Sequence, residues 1–149
     1  MLKLISHRGN ITGPNPEKEN HPEYILAALQ AGYDVEIDVW FENGKFMLGH
    51  DRPQYEFPFE LLDQNYSRLW VHCKNLEALS ILISLDPNGQ KVNYFWHEND
   101  KVTLTSKNVI WSHPNNSPIK NSIAVLPEVN NYSISECLGV CSDYIKNYA

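Results

Sequence analysis

Tyr33-Asp34-Val35-Glu36-Ile37-Asp38-Val39-Trp40 is the stretch on which the fold turns. Val35, Ile37 and Val39 alternate with Asp34, Glu36 and Asp38, the period-two pattern of a β-strand. Residues two apart in a strand share a face, so Glu36 and Asp38 point one way and the three aliphatic residues the other, against helices. Two carboxylates on a covered face cannot stay ionised without compensation. Oxygen-liganded Mg²⁺ or Ca²⁺ is a natural solution. An edge strand with one solvated face is the alternative that the pair alone leaves open.

Upstream, an apolar run over Leu2–Ser6 ends in His7-Arg8-Gly9. Downstream, Asn43-Gly44 is a strong hairpin signal, and Phe46-Met47-Leu48-Gly49 after it ends in His50-Asp51. Strands are further expected at Leu69–Cys73, Val92–Trp96, Asn108–Ser112, Ile123–Pro127 and Val140–Tyr144. His21–Ala31 reads as a helix, with Pro22 in its first turn and Gly32 stopping it, and Asn75–Leu85 as a second. Ser133–Leu138 is expected as a short third, and Asn99–Lys107 and Pro114–Asn121 as loops or single turns.

Strand–helix alternation argues for a parallel sheet. Polar residues gather at the C-terminal ends of successive strands: His7, Glu36 and Asp38, His72 and Lys74, His97 and Glu98, His113, Glu128 and Asp143. That end carries the active site in (β/α) barrels, which usually take about 250 residues. At 149 residues the chain is expected to be a single domain of α/β class. The expected architecture is a reduced TIM (β/α) barrel with several outer helices shortened or missing.

The formal net charge is −6 and no basic tract occurs, which argues against a nucleic-acid partner. No apolar run approaches the roughly 20 residues that span a bilayer, so stable membrane insertion is not expected. Cys73, Cys137 and Cys141 lack paired spacing and contain no CxxC, so reduced, partly buried thiols are expected. The first strand leaves no room for a signal peptide, and the expected compartment is the cytoplasm.

Two histidines at strand ends, His7 and His50, bracket the acidic pair. Phosphodiester cleavage needs a base for the attacking hydroxyl and an acid for the leaving alkoxide, and two imidazoles can share those tasks. A metal would neutralise the phosphate oxygens. On His7-Arg8-Gly9, Glu36-Ile37-Asp38-Val39 and Gly49-His50-Asp51, the chain resembles the glycerophosphodiester phosphodiesterase family. That family belongs to the phosphatidylinositol-phospholipase-C-like superfamily, which also holds sphingomyelinase D. Asn15-Pro16-Glu17-Lys18-Glu19-Asn20 resembles a scrambled form of the Pro-Glu-Asn segment that follows HRG in that family, and Val140–Tyr144 its final strand. The likeness is tight over the first fifty residues and loose thereafter.

The resemblance implies acid/base catalysis by His7 and His50, phosphate contacts from Arg8 and Lys74, and a divalent metal on Glu36 and Asp38. The family places an acid at the third ligand position, where this chain has His72. Imidazole suits Mn²⁺ or another transition ion better than Mg²⁺ or Ca²⁺. A shifted metal preference, a water in place of the third ligand, weakened metal binding and a hydrogen-bonded interior histidine are all open for His72. Trp111 reads either as a wall against a glycerol or sugar moiety or as core, and Glu98 and Glu128 either as hydroxyl contacts or as solvated strand ends. The expected substrate is a small glycerophosphodiester or sugar-linked phosphodiester. The rivals are a non-catalytic phosphodiester-binding barrel and a lyase releasing a cyclic phosphate. Self-association is a further expectation, because missing helices would expose apolar faces.

Overall fold

The computed structural model describes residues 1–149. Its parallel strands are β1 (Lys3–His7), β2 (Asp34–Glu42), β5 (Leu69–Cys73), β6 (Asn93–Trp96), β8 (Ile110–Ser112), β9 (Ser122–Val125) and β10 (Gly139–Ser142). They lie side by side in the order β6-β5-β2-β1-β10-β9-β8. Three short antiparallel strands extend this set. β3 (Lys45–Leu48) folds back on the far half of β2, β4 (Tyr55–Glu56) pairs with β3, and β7 (Val102–Leu104) pairs with β8.

The helices are α1 (Pro22–Gln30), α2 (Phe59–Asn65) and α3 (Leu76–Leu85), and beyond residue 85 only single 3₁₀ turns occur. The molecule is thus a mixed α/β fold with few helices and a curled, half-barrel sheet. The curl brings strands together that are not sheet neighbours: Trp70 of β5 stacks on Trp111 of β8 with ring centroids 5.5 Å apart.

The alternation read in β2 holds. Val35, Ile37 and Val39 are buried on the convex side against Ile25, Ala28 and Leu29 of α1 and Ala78 and Leu82 of α3. The concave side has its own core of Ile5, Trp70, Phe95, Trp111, Ile123, Val125 and Cys141. β5 and β6 divide their residues between the two cores, Leu69, Val71, Cys73 and Tyr94 facing one and Trp70 and Phe95 the other, so a one-residue slip there would exchange them. α3 is apolar around most of its circumference, and Leu76, Ile83 and Leu85 are exposed on its outer side. All three cysteines are free, with Cys73 and Cys141 buried. No helix is long and apolar enough to cross a membrane.

Three segments differ from expectation. Ser133–Leu138 is not a helix, because its backbone is spent on β9 and its approach: Leu138 N–H donates to Ser122 and Asn121 N–H donates to the Glu136 carbonyl. Asn99–Lys107 is more than loop, since β7 forms within it against β8. α2 was not anticipated; it starts after Pro58 with no side-chain cap, so the usual start signal is absent.

Candidate functional site

The central strand β2 has one edge paired with β5 over Val35–Val39. Its other edge pairs with β1 only as far as His7 opposite Glu36. Beyond that point three sequence motifs dock on it in succession. Arg8 N–H donates to the Glu36 carbonyl, the Asn20 side chain accepts from Asp38 N–H at 2.9 Å, and Gly49 N–H donates to the Asp38 carbonyl. HRG, the segment ending in Asn20, and GHD are thus held around the two carboxylates by backbone hydrogen bonds that the diverging strand would otherwise leave open.

The chain turns sharply at each motif. Arg8 and Asn20 take left-handed backbone angles, with φ of 57° and 62°. Asparagine tolerates this region, and arginine is a rarer occupant. Gly49 has φ of 152°, and a Cβ there would run into the Arg52 carbonyl oxygen, so the turn that presents His50 requires glycine.

Asp38 is fully buried. Its Oδ2 accepts from Asn20 Nδ2 at 2.9 Å and lies 3.0 Å from Arg8 Nε. Its Oδ1 faces His72 Nδ1 at 3.2 Å and Lys74 Nζ at 4.0 Å without an aligned hydrogen bond. Burial alone would raise the Asp38 pKa, but His72, the Arg8 charge and Asn20 overcome it and hold the group ionised well below the usual carboxylate range. Glu36 is its opposite. Burial and the charge of Asp38 push its pKa up, with His7 and Arg8 pulling back. Its Oε2 is buried with no hydrogen-bond partner, 3.8 Å from His7 Nε2.

His7 is oriented from the far end of the chain. Its Nδ1 lies 2.7 Å from Asp143 Oδ1, and Asn10 Nδ2 donates to the same oxygen at 2.8 Å. Burial depresses the His7 pKa, but the Asp143 hydrogen bond and the Glu36 charge outweigh it, so the net shift is upward. Arg8 is tied by Glu19 at 3.2 Å, and Glu19 also accepts from Asn10 at 2.9 Å.

His7, His50, His72, His97 and His113, five of the six histidines, line one cavity of about 210 Å³. Arg8 and Glu36 border it on one side, and Trp111, Pro114 and Leu126 on the other. His50 sits at its rim, exposed, with Nδ1 2.8 Å from Asp51 Oδ1. Lys74 reaches the cluster through Asp38. Of the expected substrate contacts, Trp111 borders the cavity and also stacks in the inner core. Glu98 is exposed. Glu128 is occupied internally, accepting from Ser142 Oγ at 2.7 Å and Tyr148 OH at 3.2 Å.

Asn10, Glu19, Asn20 and Asp143 had no assigned role in the sequence, nor had His97 and His113. A signal for His97, His113 and Asp143 was present. Ile5-x-His7, Trp70-x-His72, Phe95-x-His97 and Trp111-x-His113 each place an apolar inner residue two positions before a histidine, and Cys141-x-Asp143 does the same for a carboxylate. Period two puts both members of each pair on the concave face, packing residue below and polar residue above.

His97 and His113 stack with centroids 3.2 Å apart. Burial, His97 and His72 push His113 down to about 4, against 6.5 for a free imidazole. Burial and His72 lower His97 as well. Between these values the unfolded chain binds a proton that the folded chain refuses, so stability falls as pH drops from 6.5 towards 4. The His113 share of that loss is expected to be roughly 2–3 kcal/mol in urea denaturation, read as the difference from His113→Gln. In His113→Gln the slope flattens; an unchanged slope would show that His113 is not held neutral.

No family model, curated protein or solved structure matches this chain significantly.

Proposed function

We propose that the chain is a metal-dependent phosphodiesterase of the glycerophosphodiester phosphodiesterase type, built on a reduced (β/α) barrel. The observation that carries this reading is the meeting of His7, Arg8, Glu36, Asp38 and His72 at the C-terminal ends of parallel strands, with His50 on the rim of the same cavity. The order of the parallel strands and the inward-facing polar residues at one end support the barrel reading.

Glu36, Asp38 and His72 suit a divalent cation. Their ligand atoms lie within 4.8 Å of one another, and Glu36 Oε2 and Asp38 Oδ1 are buried without hydrogen-bond partners. A donor set of two oxygens and one nitrogen favours Mn²⁺ or a similar ion over Ca²⁺. When bound, the cation supplies charge neutralisation for the phosphate oxygens.

The side chains divide the remaining work. Arg8 and Lys74 attract the phosphate. His50 takes the proton of the attacking hydroxyl, either water or a neighbouring hydroxyl of the substrate. A phosphorus–oxygen bond forms to that oxygen, and the bond to the leaving oxygen breaks. His7, its Nδ1 fixed by Asp143, delivers a proton from Nε2 to the leaving alkoxide. The raised pKa of His7 suits a proton donor at neutral pH. A cavity of about 210 Å³ admits a small headgroup such as glycerol or a monosaccharide.

Phosphorus NMR of glycerophosphodiesters and sugar-linked phosphodiesters incubated with the protein and Mg²⁺ or Mn²⁺ tests the reading. A phosphomonoester product is expected, and a cyclic phosphate would identify a lyase. Binding of a diester by calorimetry without any product would leave a recognition module instead.

A further inference from the structure

Behind His7 and Arg8 lies one side chain that touches the anchors of both. Asn10 is fully buried, one residue past His7-Arg8-Gly9. A primary amide offers two N–H donors and two acceptor lone pairs, and Asn10 uses all four. Its Nδ2 donates to Asp143 Oδ1 at 2.8 Å and to Glu19 Oε1 at 2.9 Å. Its Oδ1 accepts from Asn15 N–H at 3.1 Å and from the Tyr24 hydroxyl at 3.2 Å. Gly9, with φ of 95°, lets Tyr24 come this close, since a Cβ there would lie 2.6 Å from its ring.

The turn itself is held without this side chain. Asn10 N–H donates to the His7 carbonyl, and the Asn10 carbonyl accepts from Ser6 Oγ at 2.8 Å. What the side chain adds is a rigid link between two carboxylates. Its two N–H bonds leave a planar group in fixed directions, so Glu19 and Asp143 are set relative to each other. Each carboxylate holds a different working group. Asp143 Oδ1 lies 2.7 Å from His7 Nδ1, and Glu19 Oε2 accepts from Arg8 Nη1 at 3.2 Å. An aspartate of the same size at position 10 would withdraw both donors and set a third negative charge beside two others. A buried network with every member satisfied is rigid.

We propose that Asn10 is a positioning residue that sets the His7 imidazole and the Arg8 guanidinium in one register, so that proton donor and phosphate contact are aimed at the same phosphodiester. The roles of His7 and Arg8 in that statement rest on the phosphodiesterase reading, whereas the link between their anchors does not.

Nitrogen NMR of the His7 ring tests the link without an activity assay. Neutral His7 in the wild type is expected to carry its proton on Nδ1, facing Asp143. In Asn10→Ala, Asp143 loses its second partner, and a mixture of His7 tautomers is expected. Calorimetric titration with inorganic phosphate reads the Arg8 arm, where Asn10→Ala is expected to weaken binding about 3–10-fold. Glu19→Gln is expected to weaken phosphate binding alike and to keep the wild-type His7 tautomer. In turnover, Asn10→Ala is expected to lower kcat about 10–100-fold, the scale of a misplaced catalytic group. Asn10→Ala/Asp143→Asn is expected to have a kcat no lower than the poorer of its two parents, because both act through His7. Asn10→Ser, checked by circular dichroism, replaces the alanine variant if that does not fold. Wild-type tautomer and wild-type phosphate affinity in a folded Asn10 variant would overturn the proposal. So would a wild-type His7 that carries its proton on Nε2, a result that needs no variant. Absence of diester cleavage by the wild type would count against the cleavage reading alone, and the His7 tautomer would still decide whether Asn10 sets that ring.

Discussion

His7→Ala is expected to lower phosphodiester turnover by about 10²–10⁴-fold, the range for loss of a positioned acid or base, while the protein stays folded. The side chain is buried to all but 12% of its surface, yet its removal strands no charge. Asp143 keeps the hydrogen bond from Asn10, and Glu36 keeps Arg8 and His72 nearby. Steady-state kinetics beside a thermal melt would separate chemistry from folding. Wild-type turnover in a folded His7→Ala protein would sink the acid assignment.

A companion variant sharpens this. Asp143→Asn removes a charge that raises the His7 pKa and weakens the hydrogen bond at its Nδ1, leaving Glu36 alone to raise it against burial and Arg8. A general acid must be protonated, so the alkaline limb of the pH–rate profile is expected to move to lower pH in Asp143→Asn. A purely structural Asp143 would change the rate without moving that limb.

Asp38→Ala is expected to be the most destabilising single change, costing about 3–5 kcal/mol, as removal of one partner from a buried ion pair does. Arg8 would lose the carboxylate 3.0 Å from its Nε, and Asn20 would lose both the acceptor for its amide and its alignment on β2. Lys74 and His72 would lose a shared counter-charge. Urea denaturation at neutral pH reads the cost directly. Asp38→Asn retains the shape and shows how much belongs to the charge. Because the Asp38 pKa is depressed in the fold, its contribution is complete above the unfolded carboxylate value and is lost as pH falls through the folded one. A loss below 1 kcal/mol in Asp38→Ala would show that the Arg8–Asp38 contact is not structurally coupled.

The sequence revealed those parts of the structure that depend on local pattern. Alternation in Val35–Val39 identified β2 and its two faces, and Leu69–Cys73 was bounded to the residue. The turn glycine at Gly49 and the run ending in His50 marked where the chain returns to Asp38. What stayed hidden depends on distant partners. Nothing near His7 announces that Asp143 will orient it, because that contact exists only once β10 lies beside β1. The fate of Ser133–Leu138 was set by hydrogen bonds to β9 and its approach, which helix propensity does not contain. Asn20 was recognisable as a motif residue, but its grip on the Asp38 backbone follows from β2 diverging from β1 after Glu36.

The contact between His7 and Asp143 spans 136 positions of sequence, and it sets an order of assembly. Arg8, Glu19, Asn20 and Asp38 all lie within the first forty residues, so their mutual contacts close only short stretches of chain. Within that stretch His7 has nothing on its Nδ1, and the outer edge of β1 is bare. It gains both neighbours together when β10 inserts between β1 and β9. A nascent or clipped chain lacking β10 would therefore hold its acidic cluster half-built with an unaimed imidazole. Reactivity would arrive in one step, with the strand that completes the sheet.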